Sequence, residues 1–150
     1  MRDVVEVGGD VVEFQVTSER SGGVLVAYDV AFAPGGGPPM LHRHEDFELF
    51  RVEAGELAFY LEDEDGDTAR HLAPAGTVVA IPGGREHTVR NESAFPARAF
   101  AVLSPGAGME RFARGAGELA ADGEDAGVEA VMALAAASGI EITRPVAELA

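Results

Sequence analysis

Between Gly36 and Asn91 the chain places four metal-ligating side chains on segments that read as β-strands bounded by turns. The first segment, from Gly36 to Gly55, carries His42, His44 and Glu48, and the second, from Gly76 to Asn91, carries His87. His42 and His44 are two residues apart, so on an extended strand both side chains leave the same face. Glu48 keeps that parity, and Phe50 and Val52 continue it, whereas Leu49, Arg51 and Glu53 face the other way. Pro82-Gly83-Gly84 is a turn signal that opens a new strand at His87, on which Val89 shares the His87 face and Thr88 and Arg90 oppose it. Two strands of this kind bring three imidazoles and one carboxylate to one cavity, an arrangement suited to a metal ion inside a barrel.

The spacing is more specific than any single pair. Gly36, five residues, His42-x-His44, three residues, Glu48, six residues and Gly55 resembles the first motif of the cupin superfamily. Gly76, five residues, Pro82-x-Gly84, two residues, His87, three residues and Asn91 resembles the second, and every fixed position of both is filled. The resemblance implies an all-β fold, the double-stranded β-helix (jelly-roll) barrel. It also implies that His42, His44, Glu48 and His87 hold the metal and that the protein is a homodimer. The apolar Val4-Val5-Val7 segment is a candidate for a strand exchanged between copies.

At 150 residues the chain fits one domain, 1–150, with a barrel core over about 10–104 and a helical tail over about 107–138. Hydrophobic residues make up 47%, which favours a folded globule. The formal net charge of −15 argues against nucleic acid and anionic membrane as partners, because phosphate binding needs a basic surface. The absence of cysteine excludes disulfides and thiolate chemistry and is in keeping with a cytoplasmic location. Acidic residues interrupt the N-terminal segment, which does not read as a signal peptide, and no apolar run is long enough for a bilayer.

Strands are expected from Val11 to Val16, Val24 to Phe32, Glu56 to Leu61, Thr68 to Leu72 and Phe95 to Leu103, the last of the long strands. The acidic run Glu62-Asp63-Glu64-Asp65-Gly66-Asp67 reads as a solvated hairpin tip, since it lacks the ligand pattern and closing glutamate of a helical calcium loop. In the tail, Met109, Phe112, Ala116, Leu119 and Ala120 fall at helical spacing, weakened by Gly115 and Gly117 and broken at Asp122-Gly123. A second helix is expected over Ala126–Ala137, with Asp125 as N-cap, Gly139 as stop, and Val128, Val131, Met132 and Ala135 as its apolar face. Ile140 and Ile142 suggest a final extended piece before Pro145.

Neutral imidazole and ionised carboxylate suit one divalent transition metal, Fe, Mn, Ni, Co, Cu or Zn. Four protein ligands leave room for substrate or dioxygen on an ion that prefers six. Glu48 is also the candidate catalytic base. Phe50, Val52, Phe59 and Val89 make an apolar substrate pocket, and basic residues for a phosphosugar are few, so a small apolar or aromatic, hydroxylated or enolic substrate is expected. His71 lies outside both motifs and reads as a surface residue. The resemblance to quercetin-dioxygenase-like proteins implies dioxygenase chemistry. A metal-dependent isomerase or cyclase without oxygen, and a non-catalytic small-molecule-binding protein, are the alternatives.

Overall fold

A computed structural model describes residues 2–122 and 127–149. Its eleven strands form two antiparallel sheets. The first sheet has the order β1 (Val4–Val7), β2 (Asp10–Val16), β3 (Val26–Phe32), β10 (Ala97–Ser104), β5 (Phe47–Ala54), β8 (Val78–Ile81). The second runs β11 (Glu141–Pro145), β4 (Met40–Arg43), β9 (His87–Arg90), β6 (Glu56–Glu62), β7 (Thr68–Pro74). Two helices, α1 (Ala107–Ala121) and α2 (Gly127–Ala137), and a 3₁₀ turn at Val146–Leu149 complete the chain.

The core lies between the sheets, because strand periodicity sends one face of each inward. From β5, Glu48, Phe50 and Val52 are buried while Phe47, Arg51 and Glu53 are exposed. From β10, Ala97, Ala99, Ala101 and Leu103 are buried. These meet Leu57 and Phe59 of β6 and Val89 of β9 in one cluster, and the rings of Phe50 and Phe59 touch edge to face at 5.4 Å. Complete burial of a side chain such as Phe59 stabilises by about 1.5–3 kcal/mol, so this interface is the main source of the fold. A smaller cluster, Leu41, Ala58 and Tyr60, lies on the outer face of the second sheet under Val146 and Leu149.

One residue, Gly55, carries the chain from β5 in the first sheet to β6 in the second. Its φ is 73°, and a Cβ there would lie 2.8 Å from the Pro96 carbonyl oxygen. Only glycine fits so sharp a crossing. The acidic run forms the β6–β7 hairpin tip, with the Asp63 carboxylate accepting the backbone N–H groups of Asp65 and Asp67.

The tail departs from the sequence expectation in two ways. First, α1 runs uninterrupted through Gly115 and Gly117, because these glycines are where neighbours come close. A Cβ on Gly117 would lie 2.4 Å from Val5 of β1, and one on Gly115 would lie 2.7 Å from Leu134 of α2. Arg114 fixes α1 further: it donates to Asp3 at 2.7 and 2.8 Å and to Glu110 at 3.0 Å, and it lies 4.3 Å from the Phe14 ring centroid.

Second, the expected apolar face of α2 is largely outward. Ala135 is buried, but Val128 and Met132 are exposed, since α2 packs only against α1 and the approach to β11. The final extended piece expected from Ile140 and Ile142 is present: residues 141–145 form β11, which pairs with β4 and sets Ile142 opposite His42. At the other end of the chain, Val4–Val7 pairs with β2 as an edge strand. Asp122 does end α1, and Gly139, with φ 76°, follows the end of α2. The expected cap Asp125 and the breaker Gly123 lie outside the described residues.

Candidate metal centre

The four candidate ligands converge, though not as residues of one flat strand. β4 ends at Arg43, and His44 stands in the bend that takes the chain from the second sheet to the first. Glu48 therefore faces the histidines from the opposite sheet instead of continuing their strand. His42 and His87 are direct partners across the β4–β9 ladder. The ring centroids are 4.6 Å apart for His42 and His87, 4.8 Å for His44 and His87, and 6.0 Å for His42 and His44. One nitrogen from each of the three rings falls within 4.8 Å of the others, a group able to hold a metal ion.

The backbone sets the tautomers. Nδ1 of His42 meets the Met40 carbonyl at 3.1 Å, Nδ1 of His44 meets the Asp46 carbonyl at 3.1 Å, and Nδ1 of His87 meets the Arg85 carbonyl at 2.8 Å. A carbonyl oxygen only accepts, so each Nδ1 carries the proton and each neutral ring presents the lone pair of Nε2. Glu48 Oε2 then lies 3.0 Å from Nε2 of both His44 and His87. Two lone-pair nitrogens around one carboxylate oxygen are mutually repulsive until a proton or a cation joins them. This donor set fits a divalent metal: three oriented nitrogens, one buried anionic oxygen, and carbonyls behind the rings fixing their direction.

The electrostatics agree. Burial, and then repulsion from His87, lowers His42 to about 4, so its imidazole is neutral at neutral pH. Burial would raise Glu48, but where a proton, not a metal, joins its oxygen to Nε2 of His44 and His87, the resulting hydrogen bonds outweigh burial and bring the carboxyl to about 2. For His44, burial pulls downward and the contact with Glu48 pushes upward; the net shift is upward.

The other sequence candidates fall as follows. Phe50, Val52, Phe59 and Val89 all belong to the buried cluster between the sheets, with Val52 and Phe59 wholly enclosed. His71 is exposed on β7. Two open hollows lie away from the imidazoles. One, of about 520 Å³, is flanked by β1 and α1, and the other, of about 420 Å³, lies beside Tyr60, Arg70 and Val146.

Sequence reasoning missed a buried clasp next to His87. Glu86 accepts hydrogen bonds from Thr68 (2.8 Å), Thr143 (2.6 Å) and Arg144 (2.9 Å), and so locks β11 against the strand pair that carries His42 and His87. Burial opposes its charge, but these donors bring the carboxyl down to about 2. The signal available was an acidic residue at the start of a buried strand, which demands donors from elsewhere.

Residues 28–103, just over half of the chain, match the family model described as a cupin domain. The chain belongs to the cupin family. Its fold is similar to that of an oxalate decarboxylase variant from Bacillus subtilis, at 19% identity and a TM-score of 0.60, over 69% of this chain and 27% of that one. Another structure of that enzyme, from work on its Mn(II) centres, aligns at 19% identity and a TM-score of 0.59, over the same shares. A sugar phosphate isomerase of the cupin superfamily from Silicibacter pomeroyi aligns at 20% identity and a TM-score of 0.55, over 69% of this chain and 70% of that one. This cupin thus spans about a quarter of the oxalate decarboxylase chains. No curated protein matches it. Among the described residues no helix is long and apolar enough to cross a membrane.

Proposed function

We propose that this cupin is a metal-dependent dioxygenase acting on a small apolar or aromatic compound that carries a hydroxyl or enol. The observation that carries the reading is the grouping of three backbone-oriented imidazole nitrogens within 4.8 Å of one another, with the buried Glu48 carboxylate 3.0 Å from those of His44 and His87. His42, His44, Glu48 and His87 are the ligands in this reading, and the two sheets are the halves of a jelly-roll barrel around them. Fe, Mn, Ni, Co, Cu and Zn all suit such donors. When bound, the ion supplies Lewis-acid stabilisation of a deprotonated substrate oxygen.

The chain's own residues supply the rest. The backbone carbonyls of Met40, Asp46 and Arg85 hold the imidazoles by Nδ1 and keep Nε2 aimed inward. Glu48, already ionised at neutral pH, takes the substrate hydroxyl proton on its carboxylate. Phe50, Val52, Phe59 and Val89 exclude water and favour a flat apolar ligand. The protein works as a homodimer, and the exposed edge strand β1 is open to a second copy.

The test is elemental analysis of purified protein followed by an oxygen-electrode screen of hydroxylated aromatics and enols. The expected result is near-stoichiometric transition metal and oxygen uptake that a chelator abolishes. Metal-replete protein that turns over a substrate without consuming oxygen would replace this reading by the isomerase or cyclase. Protein that takes up no metal would remove it.

A further inference from the structure

Tyr28 is an interior polar group that the fold does not use. It stands in the middle of β3, between Val26 and Val30 on the inward face, and is 8% exposed. Its ring packs edge-on against Phe14 at 5.9 Å, and its hydroxyl has no hydrogen-bond partner among the described residues. The oxygen is not sealed in, either. Ser138 Oγ is the one fully enclosed side-chain polar atom among the described residues that lacks a partner. The phenol oxygen of Tyr28 therefore keeps a small contact with solvent.

Tyr28 shares the inward face of its sheet with Glu48. Across the ladder Tyr28 faces Ala101 of β10, and Ala101 faces Phe50 of β5. Inward positions of β10 on this stretch are Ala97, Ala99 and Ala101, so only methyl groups stand between the phenol and the aromatic side chain. Glu48 is one inward step along β5 from Phe50. Burial, and then the charge of Glu48, raises the Tyr28 phenol well above its ordinary range, which keeps it an O–H donor at any working pH.

We propose that the Tyr28 hydroxyl is the substrate-orienting donor of the site. It hydrogen-bonds an oxygen of a ligand whose metal-binding oxygens face the imidazoles. A buried hydroxyl without a partner is unfavourable, and a ligand oxygen removes that cost. The inference rests on the metal-dependent small-molecule reading above, and adds a named donor to it.

The test is Tyr28→Phe, which keeps the ring against Phe14 and removes only the oxygen. Both proteins are loaded with Co(II) and titrated with 4-nitrocatechol, whose visible band shifts when its hydroxyls deprotonate on a metal. Wild type is expected to bind in a metal-dependent way, and Tyr28→Phe about tenfold or more weakly, with Co(II) content unchanged and melting temperature unchanged or raised. Equal affinity in both proteins would overturn the role of Tyr28 and leave the metal site standing. A fall in melting temperature or Co(II) content in Tyr28→Phe would make the hydroxyl structural and overturn the proposal. Wild type that binds no probe, or binds it equally without metal, would overturn the functional reading and this inference with it.

Discussion

Glu48→Gln separates the roles that one carboxylate can play. In the metal-free protein the Glu48 carboxyl is held at about 2 against an ordinary 4.5 by its contacts with His44 and His87. A group whose folded pKa is depressed stabilises the fold above its unfolded pKa. That contribution is lost as pH falls from about 4.5 through about 2. By linkage the contribution at neutral pH is about 3 kcal/mol. Glutamine keeps the shape but not the charge, so metal-free Glu48→Gln should unfold several degrees lower than wild type at pH 7 and no lower at pH 2. Calorimetry in chelator at the two pH values reads this directly, and equal melting temperatures at pH 7 would refute the electrostatic argument. With metal restored, a second comparison applies. If Glu48 is ligand and base, turnover collapses in Glu48→Gln even at full metal occupancy while substrate still binds. Near wild-type turnover in metal-replete Glu48→Gln would remove the carboxylate from the chemistry.

His42→Ala, His44→Ala and His87→Ala should each strip most of the metal, measured by elemental analysis after dialysis, since water replaces an oriented Nε2 poorly. The metal-free protein should also lose stability as pH falls from 6.5 towards 4, because His42 stays neutral in the fold to about 4 while the unfolded chain takes up its proton at about 6.5. That amounts to about 3 kcal/mol and is read by denaturant titrations across the window; His42→Phe should flatten it. Glu86→Ala leaves Thr68, Thr143 and Arg144 without their shared acceptor and should cost about 3 kcal/mol or more, with β11 amides losing hydrogen-exchange protection first.

The parts of this molecule that could be read from sequence are those fixed by local chemistry. Alternation in Phe47–Ala54 announces which side of β5 is buried, and the turn at Pro82-Gly83-Gly84 announces where the His87 strand begins. The candidate metal group was legible for the same reason, since imidazoles and a carboxylate at strand spacing within such motifs have few other uses. What the sequence concealed is long-range. Parity counting put Glu48 on the His42 strand, because nothing in His44-Glu45-Asp46 announces a bend between sheets. Gly115 and Gly117 looked like weak points of the helix because propensity weighs a residue's own backbone, not the Val5 and Leu134 that need the missing Cβ. The pairing of Ile142 with His42 depends on Glu86, 56 positions earlier, finding Thr143 and Arg144. Tyr28 lies between these extremes. Its inward parity with Val26 and Val30 was readable, but its missing hydrogen bond was not, because an unmet donor is a property of the space around a side chain. Local rules locate groups able to hold a metal. Unpaired interior atoms such as the Tyr28 hydroxyl emerge only when the interior is assembled and its partners are counted.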